Sequence, residues 1–394
     1  MTTETVAFGG SVEAGWESVD AAFRHNFATG EDIGASVAVY HRGRKVVDLH
    51  GGSFDETSDR PYDDQTLQLV FSTTKGITAI AMAMLAQRGL IDYGQRVAHY
   101  WPEFAAHGKG DATVAQLLSH QCGLIAPDGP ITLEEALHWD TIVARLADTT
   151  PDWPIGSGHG YHALTFGWLA GELIRRVDGR SPGQFVTEEI SGPLGVDLWI
   201  GLPEDQEHRV SPLIGTPISA ESDDPALKAM LEMFLGPATR GGRALMLNGA
   251  FAQEGLFNTR AVHAAQIPAA NGITNAASLA KVYAATLGSI GGVQLLDQGI
   301  RDVAATTVTP DGEGDLCLIM PTTFGMGFMT HGTFTPYSGI GSFGHPGAGG
   351  SVAFAQPDRE LAFAYVMNAM ASNLAGDLRA QRLIDAVTAT LDAM

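Results

Sequence analysis

Ser72-Thr73-Thr74-Lys75 stands where a short strand-like run, Leu67 to Phe71, gives way to an Ala- and Met-rich helical stretch. Three residues is almost one helical turn, so Ser72 and Lys75 face the same way. A serine at a helix N-terminus feels the positive end of the dipole, which favours a developing alkoxide. A close, partly desolvated lysine can give up its proton and accept the serine's, or stabilise the anion. Together they make a nucleophile–base pair. Spacing alone is weak, because two of only five lysines have Ser three residues before them. The second pair, Ser278 and Lys281, lies in an ordinary Ala-rich helix and reads as structural.

Tyr161 strengthens the first pair. It follows Gly156-Ser157-Gly158-His159-Gly160, whose glycines let the backbone approach another element closely. A tyrosine pinned beside an ammonium and a helix dipole would have a lowered pKa and act as a general base. His159 and His162 lack a third ligand at metal spacing, and His120 reads as a hydrogen-bonding histidine at a helix end. A further candidate is Gly344-His345-Pro346-Gly347-Ala348-Gly349-Gly350, directly before a strand. Glycines this dense serve close contact with a ligand or another backbone. Their N–H groups would complete an oxyanion hole with the N–H of Ser72.

The elements that must hold these residues follow from periodicity. An amphipathic helix is expected over Val12 to Phe27. A hairpin is expected from Ala35–Tyr40 and Lys45–His50, and a helix from Lys75 to Arg88. Thr113-Val-Ala-Gln116 and Thr132-Leu-Glu-Glu135 fit the capping box, as does Ser181-Pro-Gly-Gln184. Leu164 to Val177 is helical and stops at Gly179. From Gly201 to about Asn275 the pattern dissolves into Pro, Gly and acidic residues, a length typical of functional loops. Strands return at Phe324–Met329, Ser351–Ala355 and Leu361–Met367, the last two joined by a turn over Gln356 to Arg359, before a final helix from about Leu374 to Leu391. The expected organisation is a sheet domain from 1–66 and 300–394, with a mainly helical stretch, 67–299, inserted and looping over the site.

Several chemistries are excluded. No G-x-S-x-G, P-loop or H-E-x-x-H occurs. Gly339 to Gly344 matches G-x-G-x-x-G but runs into His345-Pro346 rather than a helix, so the dinucleotide context is missing. With 44 acidic against 23 basic residues, the net charge of −21 opposes nucleic acid and anionic membrane surfaces. Apolar content of 45% over 394 residues supports a large core. No apolar stretch approaches the about 18 residues of a membrane span. The start shows no basic run followed by an apolar one, and Cys122 and Cys317 form no disulfide framework or zinc spacing. A cytoplasmic protein without metal or organic cofactor is the expectation.

Ser72-x-x-Lys75, then Tyr161, then His345-Pro346-Gly347, resemble in order and spacing the penicillin-recognising serine hydrolases, and among them the family VIII carboxylesterases, which look like class C β-lactamases. The likeness spans most of the chain. It implies an α+β fold of β-lactamase type, an antiparallel sheet from both termini flanked by helices, with the site between sheet and helical domains. It implies Ser72 as the acylated nucleophile, Lys75 and Tyr161 sharing general-base duty, and His345-Pro346-Gly347 in the third motif's strand. Ala348 would supply the second oxyanion N–H. Two departures bear on substrate. The tyrosine motif ends in Ala163 rather than an amide-holding asparagine, and His345-Pro346 replaces Lys-Thr. Without those charge-assisted bonds an anionic β-lactam binds poorly. The expectation is therefore a serine carboxylesterase acting on small, uncharged esters with short-to-medium acyl groups. A β-lactamase, D-alanyl peptidase, linear-amide hydrolase or acyltransferase on the same site are the rivals, with a non-catalytic binding module outside enzymes.

Overall fold

The computed structural model describes residues 6–215, 232–233, 235–309, 312–371 and 376–394. Its organising element is a seven-stranded antiparallel sheet. The strands are β1 (Phe8–Val12), β2 (Gly34–His41), β3 (Arg44–Gly52), β7 (Met329–Thr330), β8 (Phe343–Pro346), β9 (Val352–Gln356) and β10 (Leu361–Met367), in the order β1-β3-β2-β10-β9-β8-β7. Both ends of the chain thus meet at the β2–β10 pair, where Ala38 faces Ala364.

Strand alternation explains the layers. Leu361, Phe363, Tyr365 and Met367 of β10 share one buried cluster with Val37, Val39 and Phe354. Helices α1 (Glu17–Ala28) and α5 (Leu378–Asp392) cover that face with Val19, Phe23, Leu383 and Val387. The opposite face is built from small side chains, Ala38, Ala353, Ala355, Ala362 and Ala364. Helix α4 (Ala276–Leu287) packs closely there, against β2, β9 and β10. Although it falls in the 67–299 stretch, it serves the sheet.

Helices α2 (Thr74–Gln87) and α3 (Thr165–Asp178) form the centre of the helical part. Twelve of the fourteen residues of α2 are buried, so it reads as apolar all round. Thr113 and Thr132 form full capping boxes with Gln116 and Glu135. Ser181 accepts from the Gln184 N–H, but the Gln184 side chain turns to Glu188 instead, leaving a cap without the reciprocal bond. Gly179 ends α3 at φ +87°. A second, three-stranded sheet joins β4 (Gln68–Leu69), β6 (Gly272–Thr274) and β5 (Leu198–Ile200) in that order.

Two expected elements differ. The helix expected from Val12 begins only at Glu17, because Phe8–Val12 pairs with β3 as an edge strand. Its Phe-Gly-Gly-Ser-Val sequence carries no period-two signal, so only its partner marks it as a strand. The strand expected over Phe324–Met329 is a turn. Gly325 and Gly327, the latter at φ +90°, fold the chain so that Phe324 bridges Met329, and the strand is Met329–Thr330. The expected start of the last helix at Leu374 lies outside the described residues. Among those described, no helix is long and apolar enough to cross a membrane.

Candidate active site

Ser72 is placed by the small sheet. The Val70 N–H donates to Gly272 O, and Phe71 then takes a left-handed conformation at φ +43°, which costs a non-glycine residue energy. The neighbours over-determine that turn. Thr74 Oγ1 donates to Phe71 O at 2.5 Å and accepts from the Gly272 N–H at 2.8 Å. The Phe71 ring rests on Phe257 with centroids 4.7 Å apart. The sharp turn carries Ser72 to a cavity while the chain enters α2.

Lys75, one turn later, is fully buried. Its Nζ lies 3.0 Å from Ser72 Oγ, 2.6 Å from Ala163 O and 2.9 Å from Ala269 O. Burial holds its pKa well below the ordinary lysine value, with no carboxylate to offset it. A neutral amine has two N–H donors and one lone pair. With both donors on the two carbonyls, that neutral form turns its lone pair to the Ser72 hydroxyl, whereas the ammonium form donates a third N–H to Ser72 Oγ. The Ala269 carbonyl is held by Asn271, which accepts from the Ile267 N–H and donates to Val262 O and Ala265 O.

Tyr161 Oη donates to Ser72 Oγ at 2.6 Å. Contrary to the expected lowering, burial pushes its pKa up, and the bond to Ser72 offsets this only partly. The reason is the surroundings: the phenol is fully enclosed, Phe324 stacks on the ring at an interplanar angle of 9°, and the Asp315 carboxylate disfavours a second negative charge. Tyr161 therefore stands as a proton donor at rest. Its backbone N–H is held at 3.0 Å by Asp315 Oδ1, which also accepts from the Cys317 and Leu318 N–H groups. Sequence reasoning missed Asp315, since an aspartate in a Gly- and acid-rich loop resembles a solvated residue.

His345, Pro346 and Ala348 line the same cavity as Ser72 and Tyr161. His345 donates from Nδ1 to Pro346 O at 2.7 Å and stacks on Tyr161 with centroids 5.9 Å apart. Burial holds its pKa well below 6.5, so the imidazole is neutral. Gly347 does not line the cavity. It lies against the turn before Ser72, where a Cβ would come within 2.3 Å of Val70 O and 2.2 Å of Ser351 Oγ. Ser351 Oγ ties this loop to Val70 O at 2.9 Å and approaches Thr73 Oγ1 at 3.1 Å. Among the described residues, the N–H groups of Ser72 and Ala348 have no acceptor.

The cavity measures about 470 Å³. The loop region after Gly201 supplies much of its wall, including Leu213, Met246, Phe251, Leu256 and Phe257, with Leu318, Phe334 and Met370 added from the C-terminal part. The histidines near Tyr161 serve the frame. His120 Nδ1 accepts from the His162 N–H, and His162 donates to Gly160 O and accepts from the Leu124 N–H.

The chain and its fold are similar to known proteins. The chain is 35% identical over 378 residues to the esterase/β-lactamase LipL of Mycobacterium tuberculosis, covering 93% of this chain and 84% of that protein. It superposes on a crystal structure of a family VIII carboxylesterase at TM-score 0.85 and 36% identity, covering 98% of this chain and all of that one. A penicillin-binding protein homologue from Caulobacter crescentus matches at TM-score 0.87 and 37% identity, with the same coverage. The Beta-lactamase family profile matches residues 19–388, and the chain belongs to that family.

Proposed function

We propose that this protein is a serine carboxylesterase that hydrolyses small, uncharged carboxylic esters through an acyl-enzyme on Ser72. The observation that carries this is Lys75, buried with its Nζ 3.0 Å from Ser72 Oγ and fixed there by Ala163 O and Ala269 O at 2.6 and 2.9 Å.

In the proposed reaction Ser72 Oγ attacks the ester carbonyl as its proton passes to Lys75 Nζ. The oxyanion of the tetrahedral intermediate rests on the N–H groups of Ser72 and Ala348. Tyr161 Oη protonates the departing alkoxide, and the tyrosinate takes back directly from Lys75 Nζ the proton that the amine received from Ser72, both groups lying against the same Oγ. Water then attacks the acyl-enzyme, giving a proton to the same pair, and releases the acid. Tyr161 thus gives its proton to the leaving alkoxide in the first half, and Lys75 Nζ takes the water's proton in the second.

The substrate class rests on the walls. Neutral His345 and donor-less Pro346 offer an anionic carboxylate no charge-assisted bond. Ala163 offers an amide substrate no side-chain hydrogen bond. The aromatic and aliphatic loop residues suit acyl chains of modest length. Similarity to an esterase/β-lactamase and to a carboxylesterase favours esters over amides as the substrate class.

Mass spectrometry after exposure to a fluorophosphonate, with hydrolysis of a p-nitrophenyl ester series and of nitrocefin, tests the reading. Label on Ser72 with fast ester and slow nitrocefin turnover is expected. Dominant nitrocefin turnover would move the assignment to a β-lactamase, and no label with no turnover would leave a binding module.

A further inference from the structure

The turn that carries the second oxyanion donor is unusual in what it lacks. Of Gly347, Ala348, Gly349 and Gly350 only Ala348 has a side chain, and Gly349 and Gly350 sit at φ +82° and +130°. Within the segment its shape is held by two backbone bonds, Gly347 N–H to Ser351 O at 2.6 Å and Gly350 N–H to Gly347 O at 3.3 Å. Its Gly347 side is tied to the nucleophile's own turn through Ser351, Val70 and Thr73. Its far side is tied to the last helix. Arg379 Nη2 donates to Gly349 O at 2.7 Å, and the Ala371 N–H reaches the same oxygen at 3.0 Å.

Arg379 is buried, and each of its nitrogens is engaged. Nη1 donates to Ala369 O, Glu31 O and Asp32 Oδ1, at 2.8, 3.0 and 3.1 Å. Nη2 also reaches Asp377 Oδ2 at 2.7 Å, and Nε reaches Asp377 Oδ1 at 3.1 Å. Asp32 is held in turn by Tyr365 Oη on β10, at 2.6 Å. One planar guanidinium therefore spans the end of α1, the exit of β10, the start of α5 and the glycine turn. The contact leaves no room: a Cβ on Gly350 would come within 2.7 Å of Arg379 Nη2. A buried, multiply bonded arginine is costly to maintain for stability alone, since an apolar replacement is often neutral or better.

We propose that Arg379 is a positioning residue for the reaction, holding the Gly349 carbonyl so that the Ala348 N–H stays aimed at the oxyanion beside Ser72. This rests on the esterase reading above. It makes the junction of the two chain termini, remote in sequence from Ser72, part of the apparatus that stabilises the transition state. A lysine cannot replace the fork, because three donors on one nitrogen cannot reach two carboxylates and three carbonyls in four directions.

The test uses the full chain with Arg379→Lys and Arg379→Gln, and Arg382→Gln as control. Arg382, on the same helix, bonds Glu31 and Asn26 and does not touch the turn. Fluorophosphonate titration normalises each preparation to its folded, labelled sites. The expected result is a fall in kcat of about 100-fold in both Arg379 variants, the scale of a donor displaced by about 1 Å. KM for p-nitrophenyl butyrate stays within about threefold, and affinity for a trifluoromethyl ketone, which forms the tetrahedral adduct, falls in step with kcat. Arg382→Gln changes neither. Unchanged kcat per labelled site, or equal losses in Arg382→Gln, overturns the proposal. Should both Arg379 variants fail to fold, Asp32→Asn decides. It loosens Nη1 and is expected to lower kcat about tenfold at constant KM, and parental kcat in that variant overturns the proposal. Ser72→Ala separates the two readings: retained turnover there would sink the esterase assignment, whatever Arg379 does.

Discussion

The chain carries the same four-residue pattern twice, and the two copies behave differently. Ser72 precedes α2 on a strained turn, with Phe71 at φ +43°, and opens onto a cavity. Ser278 is the third residue of α4, where its Oγ accepts from the Asp197 N–H at 3.1 Å. Lys75 is wholly buried, with Nζ on Ser72 Oγ and two carbonyls. Lys281 is half-buried and its Nζ donates to Leu194 O at 2.6 Å, with no bond to Ser278. One turn of helix places Ser and Lys on the same side in both. Chemistry needs more: a hydroxyl whose lone pairs are not spent on the frame, and an amine whose proton has been made expensive to keep.

The largest expected contrast is the serine itself. Ser72→Ala should lower kcat for p-nitrophenyl butyrate by about 10⁴-fold or more and abolish fluorophosphonate labelling. Parental turnover in Ser72→Ala, with label on Ser278, would reverse the comparison. Next comes the amine. Lys75→Met should lower kcat by about 10³-fold. In the parent, kcat/KM should rise as Nζ loses its proton and reach its plateau well below the ordinary lysine value of 10.5.

Lys75 also gives a stability test that activity cannot confound. Burial lowers its folded pKa, so the unfolded chain binds the proton more tightly. Between the folded value and the ordinary value of 10.5, stability then rises with pH, by about 1.4 kcal/mol per unit. Lys75→Met lacks that slope. Denaturant unfolding of both proteins across this range should show the variant gaining on the parent as pH falls, and parallel curves would mean that Lys75 stays charged. Tyr161→Phe follows in size, with a loss of about 10²-fold in kcat from the missing proton donor and the Ser72 contact.

The parts legible in the sequence are those written locally. Ser72, Lys75, Tyr161 and the 345–348 segment could be singled out because residue type and spacing bear directly on their chemistry, and the structure brings Ser72, Tyr161, His345, Pro346 and Ala348 to one cavity with Lys75 against Ser72. The β2–β3 hairpin and β10 were found from apolar strand runs bounded by turns. What stayed hidden was relational. Edge strand β1 exists through its pairing with β3, and Phe324–Met329 looked like a strand until two glycines turned it. The direction of the Tyr161 shift depends on burial of the phenol itself, which is set by residues brought from other parts of the chain. Asp315 and Arg379 act through backbone groups brought from far along the chain, and nothing in their neighbours' types records that.

The smallest expected effect tests the comparison from its other side. Ser278→Ala removes an acceptor from the Asp197 N–H and leaves the Asn275 cap of α4 in place, since that bond runs from the Ser278 backbone to Asn275 Oδ1 at 2.9 Å. The cost should be that of one ordinary hydrogen bond, about 1 kcal/mol, seen as a lower denaturation midpoint at unchanged slope. kcat/KM should stay within about twofold of the parent. A larger drop in activity at full folding would mean that α4, packed beneath the sheet whose strand β8 carries His345, transmits strain to the site. A drop in stability alone confirms that one pattern, placed in two environments, serves the frame in α4 and the reaction at α2.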